Sequence, residues 1–341
     1  MLFLIPISCF ILILLIIKLS DNMGFLSERI SNEPRKIHTS RIPRVGGLAL
    51  LPISISILYL ELNLYQNLIL VSSLLLILGL YEDIKKNTSS YLRFVIITLL
   101  VSYFVITNNI IIVDFDNSIL NIITKSYFFS LIFIILGLLF FINGFNFIDG
   151  TNGLMLGTSI IILSNILFFS YGVSEQIFNL ILLILPSIII LFFFNFPFGK
   201  IFSGDGGSYF IGFIVGNICI LASMQEVLSS PHLACLVFYP IAETFVTFWR
   251  RIFLNKTNPF KPDELHLHIL VYKKVSNSNI YGDYSQANRS SLSSIFILFF
   301  LVLTSFLTVL LDTYMNLLIV FFIYSFTYLI FYLFTYKSWR E

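Results

Sequence analysis

Groups able to do chemistry are scarce in this chain, and they stand in five short segments. In Asn143-Gly-Phe-Asn-Phe-Ile-Asp-Gly-Thr-Asn-Gly153, residues three apart share a helix face, so Asn143, Asn146 and Asp149 would align, with Asn152 if the helix lasted that far. The glycines at 150 and 153 predict that it breaks within the run. Beside two long apolar stretches, such groups are costly to keep unless they bind each other or a ligand. In Phe198-Gly-Lys-Ile-Phe-Ser-Gly-Asp-Gly-Gly-Ser208, Asp205 is framed by glycines at the start of an apolar run. A carboxylate there, next to free helix N-terminal N–H groups, suits a hard cation carrying phosphates. Mg2+ fits such sparse acids, since it takes one or two carboxylates plus phosphate oxygens and water. A bare helix cap is the alternative, and the Gly-Lys-Ser/Thr ending of a Walker loop is absent.

Gly79-Leu-Tyr-Glu-Asp-Ile-Lys-Lys86 places two acids before two lysines at the end of another apolar run. Adjacent helical residues diverge by about 100°, so Glu82 and Asp83 cannot reach one atom without a bend. They read as a base or metal contact with a compensating charge, or as a solvated helix end. Pro34-Arg-Lys-Ile-His38 and Arg41-Ile-Pro-Arg-Val-Gly-Gly47 bring Arg35, Lys36, Arg41 and Arg44 to a stretch where prolines and glycines forbid a continuous helix. These cations could hold phosphate, or simply obey membrane topology. In Asn258-Pro-Phe-Lys-Pro-Asp-Glu-Leu-His-Leu-His268, no cysteine or further histidine completes a zinc site around His266 and His268. They read better as hydrogen-bond donors to a phosphate or sugar, partly charged near neutral pH.

What must position these segments is a membrane bundle. Of 341 residues 57% are hydrophobic and only 11% charged, where a soluble domain carries about 25%. Measured against the roughly 20 residues needed to cross the hydrocarbon core, about eleven spans can be drawn. They run over 2–17, 45–61, 67–81, 91–108, 127–142, 154–171, 177–194, 207–223, 232–250, 291–311 and 315–335. The first lacks a basic flank and a cleavage site, so it reads as a retained helix. Threaded as a zigzag, the chain sends all but Lys125 of its 20 Lys and Arg to one face. The positive-inside rule makes that face cytoplasmic, with the N-terminus outside and the C-terminus inside. All five segments fall on the cytoplasmic side, four beside span ends and His266 with His268 in a polar loop over 252–290. The outer stretch 109–124 alternates in polarity and could form a small hairpin. Cys9, Cys219 and Cys235 lie in apolar spans and read as small buried groups.

Taken in order, the segments from about Pro34 to His268 resemble the polyprenyl-phosphate N-acetylhexosamine-1-phosphate transferases, glycosyltransferase family 4. The Asn-x-x-Asn-Phe-Ile-Asp-Gly and Phe-Ser-Gly-Asp-x-Gly-Ser runs are the most specific parts. The Arg-Lys-Ile-His opening and the Pro-Asp-x-x-His-x-His loop look like the sugar-nucleotide branch rather than the peptidoglycan branch. The resemblance implies a single all-α integral-membrane domain that transfers a sugar-1-phosphate from a UDP-sugar to undecaprenyl phosphate, releasing UMP. It implies Mg2+, with Mn2+ as a substitute, held by Asp205 and Asn146. Asp83 would contact or deprotonate the acceptor phosphate, and Asp149 and Asn152 would line the nucleotide end with Asn143 near them. His266 and His268 would steady the donor phosphates; Lys86, Arg35, Lys36, Arg41 and Arg44 would meet lipid phosphate or nucleotide. Three positions depart from the family pattern. Glu82 stands for the first of two aspartates, Asn152 for a second aspartate, and Ile269 for a further histidine.

The expected setting is the bacterial inner membrane, and the expected product starts a surface polysaccharide. Rival readings are the phospho-MurNAc-pentapeptide transferase of peptidoglycan synthesis and, more distantly, a transporter or flippase of an anionic lipid. A transporter places its polar groups near the membrane midplane, whereas here they crowd the inner ends. The basic residues follow topology rather than forming a soluble basic face, which argues against nucleic acid. The apolar faces could meet lipid or a second copy in a homodimer.

Overall fold

The computed structural model describes residues 3–340 apart from 24–41, 58–62, 86–87, 112–114, 116–120, 123–125, 255, 257–263, 282–283 and 312. Among them the chain is helical and forms no strand. Helix α1 is Leu4–Met23; a 3-10 turn Gly46–Leu50 runs into α2, Leu51–Ile57. Then come α3 Asn63–Lys85, α4 Ser90–Thr107, α5 Tyr127–Ile148, α6 Leu154–Ser170, α7 Glu175–Asn195, α8 Gly204–Met224 and α9 Ser230–Trp249. A π-helical turn, Arg250–Leu254, extends α9, and α10 Leu267–Ser276, α11 Gln286–Leu310 and α12 Tyr314–Arg340 follow.

Among the described residues, 9 helices are long and apolar enough to cross a membrane by length and composition. The predicted spans at 45–61 and 154–171 correspond to shorter apolar helices, Gly46–Ile55 and Leu154–Ser170. At 1.5 Å per residue α6 measures about 25 Å, a little less than a hydrocarbon core. The predicted hairpin over 109–124 lies mostly outside the described residues. The predicted polar loop over 252–290 is corrected: it contains α10, and α11 begins at Gln286. Leu267, Leu270, Val271 and Val275 form a helical stripe that buries against α11 and α12, too short to register as a span.

The centre of the bundle is α8, 83% of whose span is buried, with α3 and α5 packed most closely on it. Glycine permits that approach: a Cβ at Gly79 on α3 would lie 2.3 Å from the backbone nitrogen of Gly206. In a lipid solvent, helix association relies on such backbone-close packing rather than on expelling water.

Candidate active site

Four helix ends meet at one end of the bundle: the C-terminal ends of α3 and α5 and the N-terminal ends of α4 and α8. Asp83, in the last turn of α3, turns onto the start of α8. Its carboxylate accepts the backbone N–H of Asp205 at 3.0 Å and of Gly206 at 3.1 Å. A helix start has unpaired N–H groups and partial positive charge, which is where a carboxylate is held best. The donors that the sequence offers to phosphate are therefore engaged by Asp83. Gly204, at φ +72°, makes the turn possible; a Cβ there would sit 1.8 Å from the Arg44 carbonyl oxygen and 2.5 Å from Asp83 Oδ2.

Asp205 faces across the site. Its Oδ2 accepts from Arg93 Nη1 at 2.5 Å and its Oδ1 from Asn146 Nδ2 at 3.0 Å. Asn146 Nδ2 also donates to Ser208 Oγ at 3.0 Å, and Ser208 donates to the Asp205 carbonyl at 3.1 Å. Arg93 reaches Tyr209 Oη at 3.5 Å and Ser90 Oγ at 3.2 Å. Glu82 diverges from Asp83, accepting from the backbone N–H and hydroxyl of Thr88 and lying 3.9 Å from Arg93 Nη1. The Pro43–Gly47 segment is stitched to the Asp205 turn by three backbone bonds of 2.9 Å: Phe202 N–H to Pro43, Gly46 N–H to Phe202, and Gly47 N–H to Ser203. This seats Arg44 beside the carboxylates.

Asp149 caps the end of α5, and the chain turns through Gly153, at φ +78°, into α6. Burial holds the Asp149 carboxyl well above the ordinary carboxylate range; Arg44 and the Gly204 N–H oppose this, while Asp83 and Asp205 reinforce it. His266 and His268 stack on each other with ring centroids 5.6 Å apart, and His266 lies 5.0 Å from the ring of Phe147. His268 Nε2 abuts Gly150, where a Cβ would approach to 2.3 Å. The histidine segment thus covers the Asn143–Gly153 segment. The expectation that both rings are partly charged is corrected for His268: burial, then its neighbour His266, pushes it well below the ordinary imidazole value.

Asp83, Asp149, Asp205, Asn146, Arg44 and the two histidines are thus gathered at this end of the bundle. Asn143 is nearby on α5, but its amide donates to its own helix at Leu139 O, 2.7 Å. Asn152 is buried, its Nδ2 donating to Pro197 O, Ala287 O and Ser291 Oγ and its N–H to Ser290 Oγ. Arg35, Lys36, Arg41 and Lys86 lie outside the described residues. Sequence reasoning missed Arg93, Ser208, Tyr209, Asn195 and Glu243. Arg93 left a usable signal as the lone charge in α4, and Glu243 as the lone acid in α9. Asn195 joins two motif segments, accepting the Gly153 N–H and donating to Ile201 O at 2.7 Å.

Among the described residues, no group of three or more His, Cys, Asp or Glu could hold a metal ion unaided. The oxygens on offer are hard, and the Asp205 side chain is 28% exposed. That set suits an ion sharing its shell with water and substrate phosphate, as Mg2+ does, and not a protein-only zinc site.

Residues 65–223 match the family model described as glycosyl transferase family 4. A probable undecaprenyl-phosphate N-acetylglucosaminyl 1-phosphate transferase of Bacillus subtilis is 29% identical over 242 residues, covering 69% of this chain and 66% of that protein, just under two thirds of its length. An undecaprenyl-phosphate alpha-N-acetylglucosaminyl 1-phosphate transferase of Thermotoga maritima is 28% identical over 246 residues, 71% of this chain and 72% of its own. A phospho-N-acetylmuramoyl-pentapeptide-transferase of Dictyoglomus turgidum is 27% identical over 196 residues, 55% of this chain and 62% of its own.

Proposed function

From the match of residues 65–223 to glycosyl transferase family 4, we propose that the chain belongs to that family and transfers a sugar-1-phosphate, of the N-acetylhexosamine class, from a UDP-sugar to undecaprenyl phosphate, releasing UMP. The observation that carries this reading is the seating of Asp205 between Asn146 and Arg93, on a helix start that Asp83 holds from the other side. Transfer between two anions needs alignment and charge neutralisation more than covalent help. Asp205 and Asn146 would hold Mg2+, which when bound would neutralise the donor pyrophosphate.

Asp83 spends its two oxygens on backbone donors, which supports a positioning role over that of a base. Arg93 and Arg44 place fixed positive charge where phosphate must dock. Asp149 lines the nucleotide side, under the cover of His266 and His268. The site then sits at the cytoplasmic boundary of the inner membrane, where a lipid acceptor enters sideways and a soluble donor arrives from water. The product would start a surface polysaccharide.

The test is UMP release by purified protein in detergent, with undecaprenyl phosphate, Mg2+ and a panel of UDP-sugars. Release with one N-acetylhexosamine donor, lost on chelation, is expected. Asp205→Ala should abolish it while leaving the protein folded and membrane-inserted; near-normal turnover would sink the role given to Asp205. The similarity to the Dictyoglomus turgidum protein favours a second reading, so UDP-MurNAc-pentapeptide belongs in the panel. Release with that donor alone would replace the first reading by the second.

A further inference from the structure

Glu243 lies within α9, is 1% exposed, and is not among the acids assigned to phosphate chemistry. A carboxylate inside a membrane span is costly unless fully paired, so its partners carry information. Its oxygens accept from the Leu267 N–H at 3.2 Å and 3.4 Å, from Tyr328 Oη at 3.1 Å, and lie 3.3 Å from His266 Nδ1. Leu267 is the first residue of α10, so Glu243 caps the helix whose start carries both site histidines. Thr247 Oγ1, one turn along α9, stands 3.3 Å from the same ring nitrogen.

Both Glu243 oxygens already accept, from the Leu267 N–H and the Tyr328 hydroxyl, and a carboxyl used as an acceptor on both oxygens takes its hydrogen in this pair from His266 Nδ1. The ring packs against Phe147, with centroids 5.0 Å apart, and stacks on His268, with centroids 5.6 Å apart. Both side-chain hydrogen bonds of His266 among the described residues involve Nδ1, and neither involves its second nitrogen, Nε2. We propose that Glu243 is the positioning residue for His266: it locks the ring with Nδ1 protonated and turned inward, leaving Nε2 as the atom that meets the donor. The second half of this inference rests on the donor-phosphate reading above. Glu243 itself touches no substrate and acts only through His266 and the start of α10.

The test uses the full-length protein in detergent and two readouts. With 15N-histidine labelling, only 4 histidines contribute, and His266 is identified by the signal lost in His266→Asn. Wild type should show His266 with Nδ1 protonated. Glu243→Gln, which keeps the volume but presents an amide, should give mixed tautomers. A wild-type His266 lacking the Nδ1 proton overturns the inference.

The kinetic readout is UMP release. Glu243→Gln should raise the donor KM about tenfold, as for loss of one charged hydrogen bond, with kcat and the acceptor KM nearly unchanged. Glu243→Asp should recover part of that loss. The double variant Glu243→Gln with His266→Ala should be no worse than His266→Ala alone, since the two act as one unit. Additive losses, or an unchanged donor KM in folded Glu243→Gln, overturn the inference. If wild type released no UMP from any donor, the functional reading would fail, and the ring-nitrogen signals would still decide the pairing.

Discussion

Arg93 and Asn146 hold Asp205 from two sides, and the guanidinium does what an amide cannot: it offsets the negative charge of Asp205 while Glu82 lies within 3.9 Å. Removing one partner of a charge-assisted hydrogen bond costs about 1.5–3 kcal/mol. Arg93→Ala is therefore expected to slow UMP release by about 10- to 100-fold. Arg93→Lys should recover only part, because a point charge cannot reach Asp205, Tyr209 and Ser90 together. Full activity in Arg93→Ala would remove Arg93 from the site. His268 gives a pH prediction. Its ring titrates below the ordinary value in the folded protein, so below about pH 6.5 the unfolded chain binds a proton that the native state refuses. The stability it contributes is complete above that pH and is lost as pH falls toward the lowered native value. Asp149, displaced upward, has the opposite sign: its contribution is present below about pH 4 and lost as pH rises. Comparing wild type with His268→Gln cancels the Asp149 part. The melting temperature of wild type should fall more steeply between roughly pH 7.5 and 5.5 than that of the variant. Parallel curves would show that the ring is not buried neutral.

At the scale of elements, the helices were legible wherever apolar runs were long, and the break between α5 and α6 was legible from Gly150 and Gly153. The divergence of Glu82 from Asp83 also follows from helix geometry alone. Hidden from the sequence were the partners that only packing supplies. Nothing local says that Asp83 reaches across to the start of α8, or that Asn152 is consumed by Pro197 and α11. Helix α10 was hidden because ten residues with one histidine and two lysines do not read as a span. Glycine spacing, by contrast, was visible without being decipherable. Gly79 on α3 is needed for contact with Gly206, whereas Gly137 on α5 has nothing within 4 Å of its missing Cβ. Gly79→Ala should therefore force α3 away from α8, destabilising by about 1–3 kcal/mol and misplacing Asp83. Gly137→Ala should change stability by no more than about 0.5 kcal/mol unfavourably, since alanine is the better helix former. The pair can be read by thermal unfolding in detergent, followed by UMP release at a temperature where both are folded. Equal melting temperatures would mean that close α3–α8 packing is not what holds the site.

For the whole molecule, the decisive constraint is where the chain leaves and re-enters the site. It departs at Asp149, at the end of α5, and returns at Asp205, at the start of α8, and both acids belong to one cluster. Between them lie only α6 and α7, packed along each other, so together they make one round trip through the bundle. Length alone would leave α6 out, at 17 residues. The turn at Tyr171–Val173 must then lie at the end of the bundle opposite Lys200, which adjoins the Asp205 loop. In the zigzag drawn from the sequence Lys and Arg gather at the site end, and the positive-inside rule would then put that end in the cytoplasm. The nucleotide-sugar donor proposed above would be supplied from that side. Single cysteines test both statements, and the background is low because Cys9, Cys219 and Cys235 are all buried. Tyr171 is 76% exposed and Lys200 is exposed, so Tyr171→Cys and Lys200→Cys should each react with an impermeant maleimide when presented to it. In intact spheroplasts Tyr171→Cys should label and Lys200→Cys should not; in inverted vesicles the order should reverse. Labelling of both from one side would break the round trip. A reversed pattern would keep it and put the site on the outer face, where no cytoplasmic nucleotide sugar could reach it.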